Sequence, residues 1–340
     1  MSSAHGGTVS SSGCEGCSDV IDFRYHLVSI IAIFFALATG IILGAGPFDE
    51  RADEVVADQL ASFRDRNQEL QNQIVALEQG IEYQETFLQT VMPPLVDGQL
   101  DGQRILLVVT PGADDEQVDR LRDDIAMAGA TVSATATIEP AWPEADSEAV
   151  LDELAAQLVD SGTTLPEGDG YDRGAAVLAG ALLAAPDDRT GDVDAEVVAG
   201  FAEAGLATID LVADENGDNL EATLALVAAG TPPDDDAERV NSTLRAVMIG
   251  LDAAGNGAVV TGPASSAGDN GLLTIIRDDG ELRESVSTVD STDLPSGGIA
   301  VIFAAVEQQG GDAGHYGRVG TTDGALPELA AGPEEGGEGS

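Results

Sequence analysis

The sequence predicts an α/β protein: a single N-terminal transmembrane helix, a coiled-coil stalk, then a domain built on a mostly parallel sheet. Three observations predict it. One long apolar run occupies residues 21–47. A heptad pattern follows over residues 48–92. From about residue 100 to 310, short apolar runs alternate with amphipathic ones, the rhythm of β-α-β units around a parallel sheet.

The apolar run is IDFRYHLVSIIAIFFALATGIILGAGP, and no side chain from Leu27 to Gly46 carries a charge. About 20 such residues cross the hydrocarbon core of a bilayer. Ala36 and Ala38 form an A-x-A-like pair, as at a signal-peptide cleavage site. The apolar stretch continues past that pair through Leu43, longer than an ordinary signal core, so the reading is an uncleaved anchor in membrane lipid. Arg24 on the N-terminal flank, with Asp49 and Glu50 ahead of Arg51 on the other, gives a small bias towards a cytoplasmic N-terminus and an extracytoplasmic bulk. Ala36, Gly40 and Gly44 recur every four residues on one helix face. Small residues so spaced let two membrane helices approach closely; they are also simply common in such helices.

In the next segment Val56, Leu60, Phe63, Asn67, Leu70, Ile74, Leu77, Ile81, Gln84 and Leu88 occupy a and d heptad positions. Most are apolar, and the positions between them carry Gln, Glu, Asp and Arg, as in a coiled coil. Asn67 at an a position costs stability but fixes register and favours two strands. Gly80 weakens the helix, and Pro93–Pro94 are expected to end it. The alternative is one amphipathic helix packed on its own domain. A heptad segment directly after a small-residue membrane face points to a parallel homodimer.

In the domain, Arg104–Thr110 (RILLVVT) reads as a buried strand and Thr131–Ile138 as a second, joined by a helix bearing Val118, Leu121 and Ile125. Ala175–Ala184, Leu206–Ala213, Gly257–Gly262 and Val286–Asp290 extend the strand scheme. Helices are expected at Val150–Leu158, Val240–Ala253, Gly271–Arg277 and Gly297–Gln309. PEGDGYDRG and GTPPDDDAER read as surface loops. Residues 1–20 and the Gly- and Glu-rich tail 311–340 read as disordered.

The chain has 340 residues with 61 acidic and 14 basic side chains, a net charge of −47, and every basic residue is Arg. Clustered cations are absent, which argues against nucleic acid or an anionic lipid surface as partner. Cys14 and Cys17 form one C-x-x-C, too few ligands for a structural zinc site. No G-x-G-x-x-G follows the first strand, so dinucleotide binding has no support. TGPASS (Thr261–Ser266) follows a strand but lacks the lysine of a phosphate loop and the glycines of a nucleophile elbow. DENGDN (Asp214–Asn219) misses the calcium-loop offsets, and Asp234–Asp236 read as a solvated loop. His315 is the sole histidine after the apolar run, so the residues make no case for an enzyme and no cofactor is expected. Beyond that run, the side chains suited to copper are Met92, Met127, Met248 and His315, no two close in sequence.

Residues 21–47 resemble the N-terminus of the actinobacterial MctB family, copper transport outer membrane proteins, including its closing G-x-G element, here Gly44 and Gly46. STVDSTDLPSGGIAVIFAAVEQQGGDAGHYG (Ser287–Gly317) resembles that family's C-terminal signature. The resemblance covers residues 20–317. It implies copper transport or homeostasis at the cell envelope, with copper as the transported ion and an outer-envelope location. Relatives are also linked to envelope division, which implies a non-catalytic dimeric scaffold with a protein partner in the cell-wall machinery. The chain has no repeated ten-residue amphipathic segments of the kind that build a transmembrane barrel, and one spanning helix per protomer lines no wide pore without a larger oligomer. The family begins immediately before the N-terminal motif, and Val20 read as a start codon would give M-IDFRYH. Residues 1–19 are therefore expected to be a misassigned gene start; a peptide containing Cys14 from the natural protein would refute this.

Overall fold

The computed structural model describes residues 23–44, 48–159, 163–184, 191–231, 236–294, 296–320 and 322–328. The extension with both cysteines, the ends of the 21–47 run, the side chain of Val56, Asp234, Asp235 and residues 329–340 lie outside them. The chain divides into two units, one up to Gln79 and one from Gly80.

In the first unit, α1 (Phe23–Gly44) is 22 residues of nearly pure apolar sequence. At 1.5 Å per residue it is about 33 Å long, matching a hydrocarbon core of about 30 Å. Residues 24–44 have a mean hydropathy of 2.6, and this is the one helix among the described residues long and apolar enough to cross a membrane. Helix α2 (Phe48–Val96) begins in the same unit.

The last turns of α2 belong to the second unit. Pro93 and Pro94 lie inside the helix and do not end it as expected. The reason is tertiary: Met92, Val96 and Leu100 are buried in the domain core. The backbone is also retied beyond the prolines, Asp97 N donating to Pro93 O at 3.0 Å and Leu100 N to Ala128 O at 2.9 Å.

The domain continues β1 (Arg104–Val109), α3 (Asp115–Met127), β2 (Thr131–Ile138), α4 (Ser147–Leu158), α5 (Gly170–Leu182), α6 (Ala195–Glu203) and β3 (Ala207–Leu211). Then come β4 (Leu224–Ala228), α7 (Ala237–Ala254), β5 (Ala258–Thr261), α8 (Leu272–Asp278), α9 (Leu282–Ser285), β6 (Val286–Val289), α10 (Gly297–Gln309) and β7 (His315–Tyr316). The strands form one sheet in the order β3-β2-β1-β4-β5-β6-β7. All neighbours are parallel except β2 and β3.

Alternation along the strands feeds two cores. Leu106, Val108, Ala225 and Val227 face the side covered by α4 to α8. Ile105, Leu107, Leu224 and Leu226 face α3, α10 and the end of α2. Because both faces are covered, the central strands are apolar throughout.

Three expectations are corrected. Ala175–Ala184 lies mostly in α5 rather than in a strand. Asp169 caps that helix, and Asp172 returns the bond to the Asp169 backbone, a reciprocal box that starts a helix inside the expected PEGDGYDRG loop. The strand at Leu206–Ala213 is antiparallel, so the sheet is not wholly parallel. The segment after residue 310 is ordered through β7: Thr288 N donates to Gly314 O and Asp290 N to Tyr316 O.

Candidate functional site

The strand order reverses between β1 and β4, the position where open α/β sheets bind ligands beyond their carboxyl ends. Here that crevice is closed by backbone. Gly230 N donates to Thr110 Oγ1 at 2.8 Å. Gly112 has φ +82°, and a Cβ on it would lie 2.8 Å from Thr231 O. A Cβ on Gly230 would overlap the Gly112–Ala113 backbone. TGPASS continues the closure: the Ser265 and Thr231 hydroxyls are 2.7 Å apart, and Ser266 Oγ donates to Pro263 O at 2.6 Å. The two serine hydroxyls of the segment are thus engaged, while the buried Thr261 Oγ1 has no partner. Asp214 likewise spends its carboxylate on its own loop, accepting from Asn216 N and Asp218 N, which holds its carboxyl below the usual range.

The C-terminal signature builds a buried polar network at the β6–β7 edge. Arg277, from α8, reaches over it, donating from Nη1 to Asp290 Oδ2 at 2.9 Å and from Nε to Thr288 Oγ1 at 2.8 Å. Asp290 is fully buried and also accepts from Arg318 N and Val319 N. With Thr288 Oγ1 receiving from Arg277, its hydroxyl hydrogen goes to His315 Nδ1 at 2.9 Å, and His315 Nε2 donates to Arg283 O at 3.1 Å. Burial, with Arg277 and Arg283 nearby, pulls the His315 pKa below its usual value, outweighing the Arg283 carbonyl and Asp323. Both ring nitrogens are engaged, so His315 is a structural residue and not an open metal ligand.

The first half of the same signature lines a cleft of about 460 Å³ with the end of α2 and with α3. On α2 the face Glu85, Leu88, Gln89 and Met92 repeats at helical spacing; on α3 the face Gln117, Leu121, Asp124 and Met127 does the same. Gly298, at the start of α10, completes the floor. A Cβ there would overlap the Asp124 carboxylate and lie 2.9 Å from Met92 Cε, so glycine lets these two groups share one small volume. Burial raises the Asp124 pKa to about 6, with Asp123 adding to the effect and Arg120 opposing it. Gln117 Nε2 and Thr292 Oγ1, both buried atoms of lining residues, have no hydrogen-bond partner. Unsatisfied buried polar atoms are costly, and four others among the described residues lie away from this cleft.

Met92 and Met127, 35 positions apart in sequence, line the same cleft, Met92 buried and Met127 exposed. Met248 is buried in the opposite core. No group of three His, Cys, Asp or Glu side chains suited to a metal occurs among the described residues. Ala36, Gly40 and Gly44 are exposed on one face of α1, and nothing lies within 4 Å of a Cβ built on either glycine. Leu60, Phe63, Leu70, Ile74, Leu77 and Ile81 are each at least half exposed along α2, and Asn67 between them is exposed.

Proteins named copper transporter MctB from Mycobacterium bovis and Mycobacterium tuberculosis are 28% identical over 311 residues, covering 88% of this chain and 96% of each relative. One from Mycobacterium leprae is 26% identical over 327 residues, covering 90% and 98%. The family model for copper transport outer membrane protein, MctB, matches residues 20–327. With both ends of the resemblance inside that span, the chain belongs to the MctB family.

Proposed function

We propose that this chain is a membrane-anchored protein of copper homeostasis at the cell envelope, acting as a parallel homodimer with its folded domain outside the cytoplasmic membrane. The observation that carries this reading is similarity to copper transporters along nearly the whole of both chains. Helix α1 supports the anchor and the Ala36–Gly40–Gly44 face a close helix pair. Six large apolar side chains exposed at heptad spacing on α2 support the coiled coil, because a lone helix would leave that stripe in water. Among the described residues the strands form an open sheet covered on both faces, which supports binding over conduction. Copper is handled by binding and delivery rather than conduction. Deleting the gene tests this: growth lost at raised copper supports the reading, and unchanged copper tolerance overturns it.

The second reading is a non-catalytic dimeric scaffold or regulator of division and cell-wall machinery, with an envelope protein as partner. What favours it is the exposed apolar stripe on α2, which offers a surface to a protein partner rather than a path to an ion. Misplaced septa in a copper-tolerant deletion strain would select it.

A further inference from the structure

We infer that the cleft between α2, α3 and α10 binds one Cu(I) ion through the thioether sulfurs of Met92 and Met127 and the carboxyl group of Asp124. The inference deepens the copper reading above and rests on it.

Four observations carry it. Met92 and Met127 line one cleft, and these are two of only three methionines after the apolar run. Thioether sulfur is a soft ligand that selects Cu(I) over the hard cations. Gly298 admits the Met92 side chain and the Asp124 carboxylate to the same volume, and Met127 follows Asp124 by three residues on α3, adjacent on one helix face. The charged lining is biased towards a cation: Glu85 from α2, and Asp123 and Asp124 from α3, against Arg120, which itself pairs with Glu116. Asp293, ahead of α10, is paired with Arg318.

Binding is simple ligand exchange. Cu(I) enters already reduced and no electron moves. Where Asp124 is protonated, its proton leaves to solvent as the ion takes its place.

The test uses the full-length protein in detergent under anaerobic conditions, with Cys14→Ser and Cys17→Ser in every sample so that thiolates do not compete. Cu(I) is titrated against a chromogenic Cu(I) chelator. One ion per protomer is expected. Met92→Leu/Met127→Leu, which keeps side-chain volume, should weaken binding on the order of tenfold or more while the protein melts as before. Copper-edge X-ray absorption should show sulfur scatterers that the double variant lacks. Undiminished binding by the variant, or no binding by the parent, overturns the site. The strain test separates the two levels: a copper-sensitive deletion strain fully rescued by Met92→Leu/Met127→Leu overturns the site while the copper role stands.

Discussion

Replacing Arg277 by Met should be among the most damaging single changes in the domain. The guanidinium is 6% exposed and its partner Asp290 is fully buried. Methionine keeps much of the volume but withdraws the Nη1 bond to Asp290, the Nε bond to Thr288 and the bonds to the Val319 and Tyr316 carbonyls. An uncompensated buried charge costs about 3–5 kcal/mol. Asp290 keeps two backbone donors, from Arg318 and Val319, which places the loss near the lower end, about 3 kcal/mol. For a domain of this size that is a fall in Tm of roughly 6–12 °C. Asp290→Asn should cost a similar amount, because it strands the cation instead. The double variant removes both charges, so its cost should fall short of the sum of the singles by about 2 kcal/mol. Thermal and urea unfolding of the full-length protein in detergent measures all three. A loss under about 1 kcal/mol for Arg277→Met, or strict additivity in the cycle, would refute the claim that the C-terminal signature is held by this pair.

Asp124→Asn should stabilise the copper-free protein at neutral pH. The folded pKa of about 6 stands above the ordinary value of 3.8, so this group's favourable contribution is complete below pH 3.8 and is lost as pH rises through about 6. After screening, the gain should be about 1–2 kcal/mol, and a variant no more stable than the parent at neutral pH contradicts the assignment. His315 behaves oppositely. Its depressed pKa contributes stability above 6.5 that is lost as pH falls through the folded value, so His315→Gln should flatten the acid side of the melting profile. Cysteine introduced at Leu70 or Ile74 should form disulfide-linked dimers in membranes; their absence counts against the parallel coiled coil. Gly230→Ala should cost over about 2 kcal/mol, because its methyl group meets fixed backbone rather than a movable side chain.

Much of the fold was legible because the physics was local. The 22-residue apolar α1, the continuous helix α2 and the strands at Arg104 and Thr131 follow from hydrophobic period and length alone. Where tertiary contacts decided, the sequence misled. Ala175–Ala184 is a ten-residue apolar run that suits either a buried strand or a buried helix. Glycines beside it serve helix packing: Gly174 sits against Leu151, and Gly250 of α7 sits against the Ala175 carbonyl. The central strand β4 (LALVA) went unrecognised although DENGDN precedes it and GTPP follows it, because its alanine-rich run is short. The reversed direction of β3 has no counterpart in any side-chain pattern. Pro93 and Pro94 were overruled by the burial of Met92 and Val96 on either side of them.

The cleft was the least legible part. Met92 closes a face of α2 that reads as the end of the heptads, and Met127 is the last residue of α3. Nothing local couples them; the sheet and α10 do. The glycine pair Gly297–Gly298 was visible as part of the signature, but its purpose emerges only from what a methyl group there would strike. A Cβ on Gly297 would overlap the Ser291 carbonyl, and one on Gly298 the Asp124 carboxylate.

The central claim is that this chain keeps copper in balance at the envelope. Total cell copper, measured by mass spectrometry in a deletion strain grown with added copper, tests it most directly. More copper is expected in the deletion strain than in the parent, returned to the parental level by the intact gene. Equal copper in the two strains would contradict it.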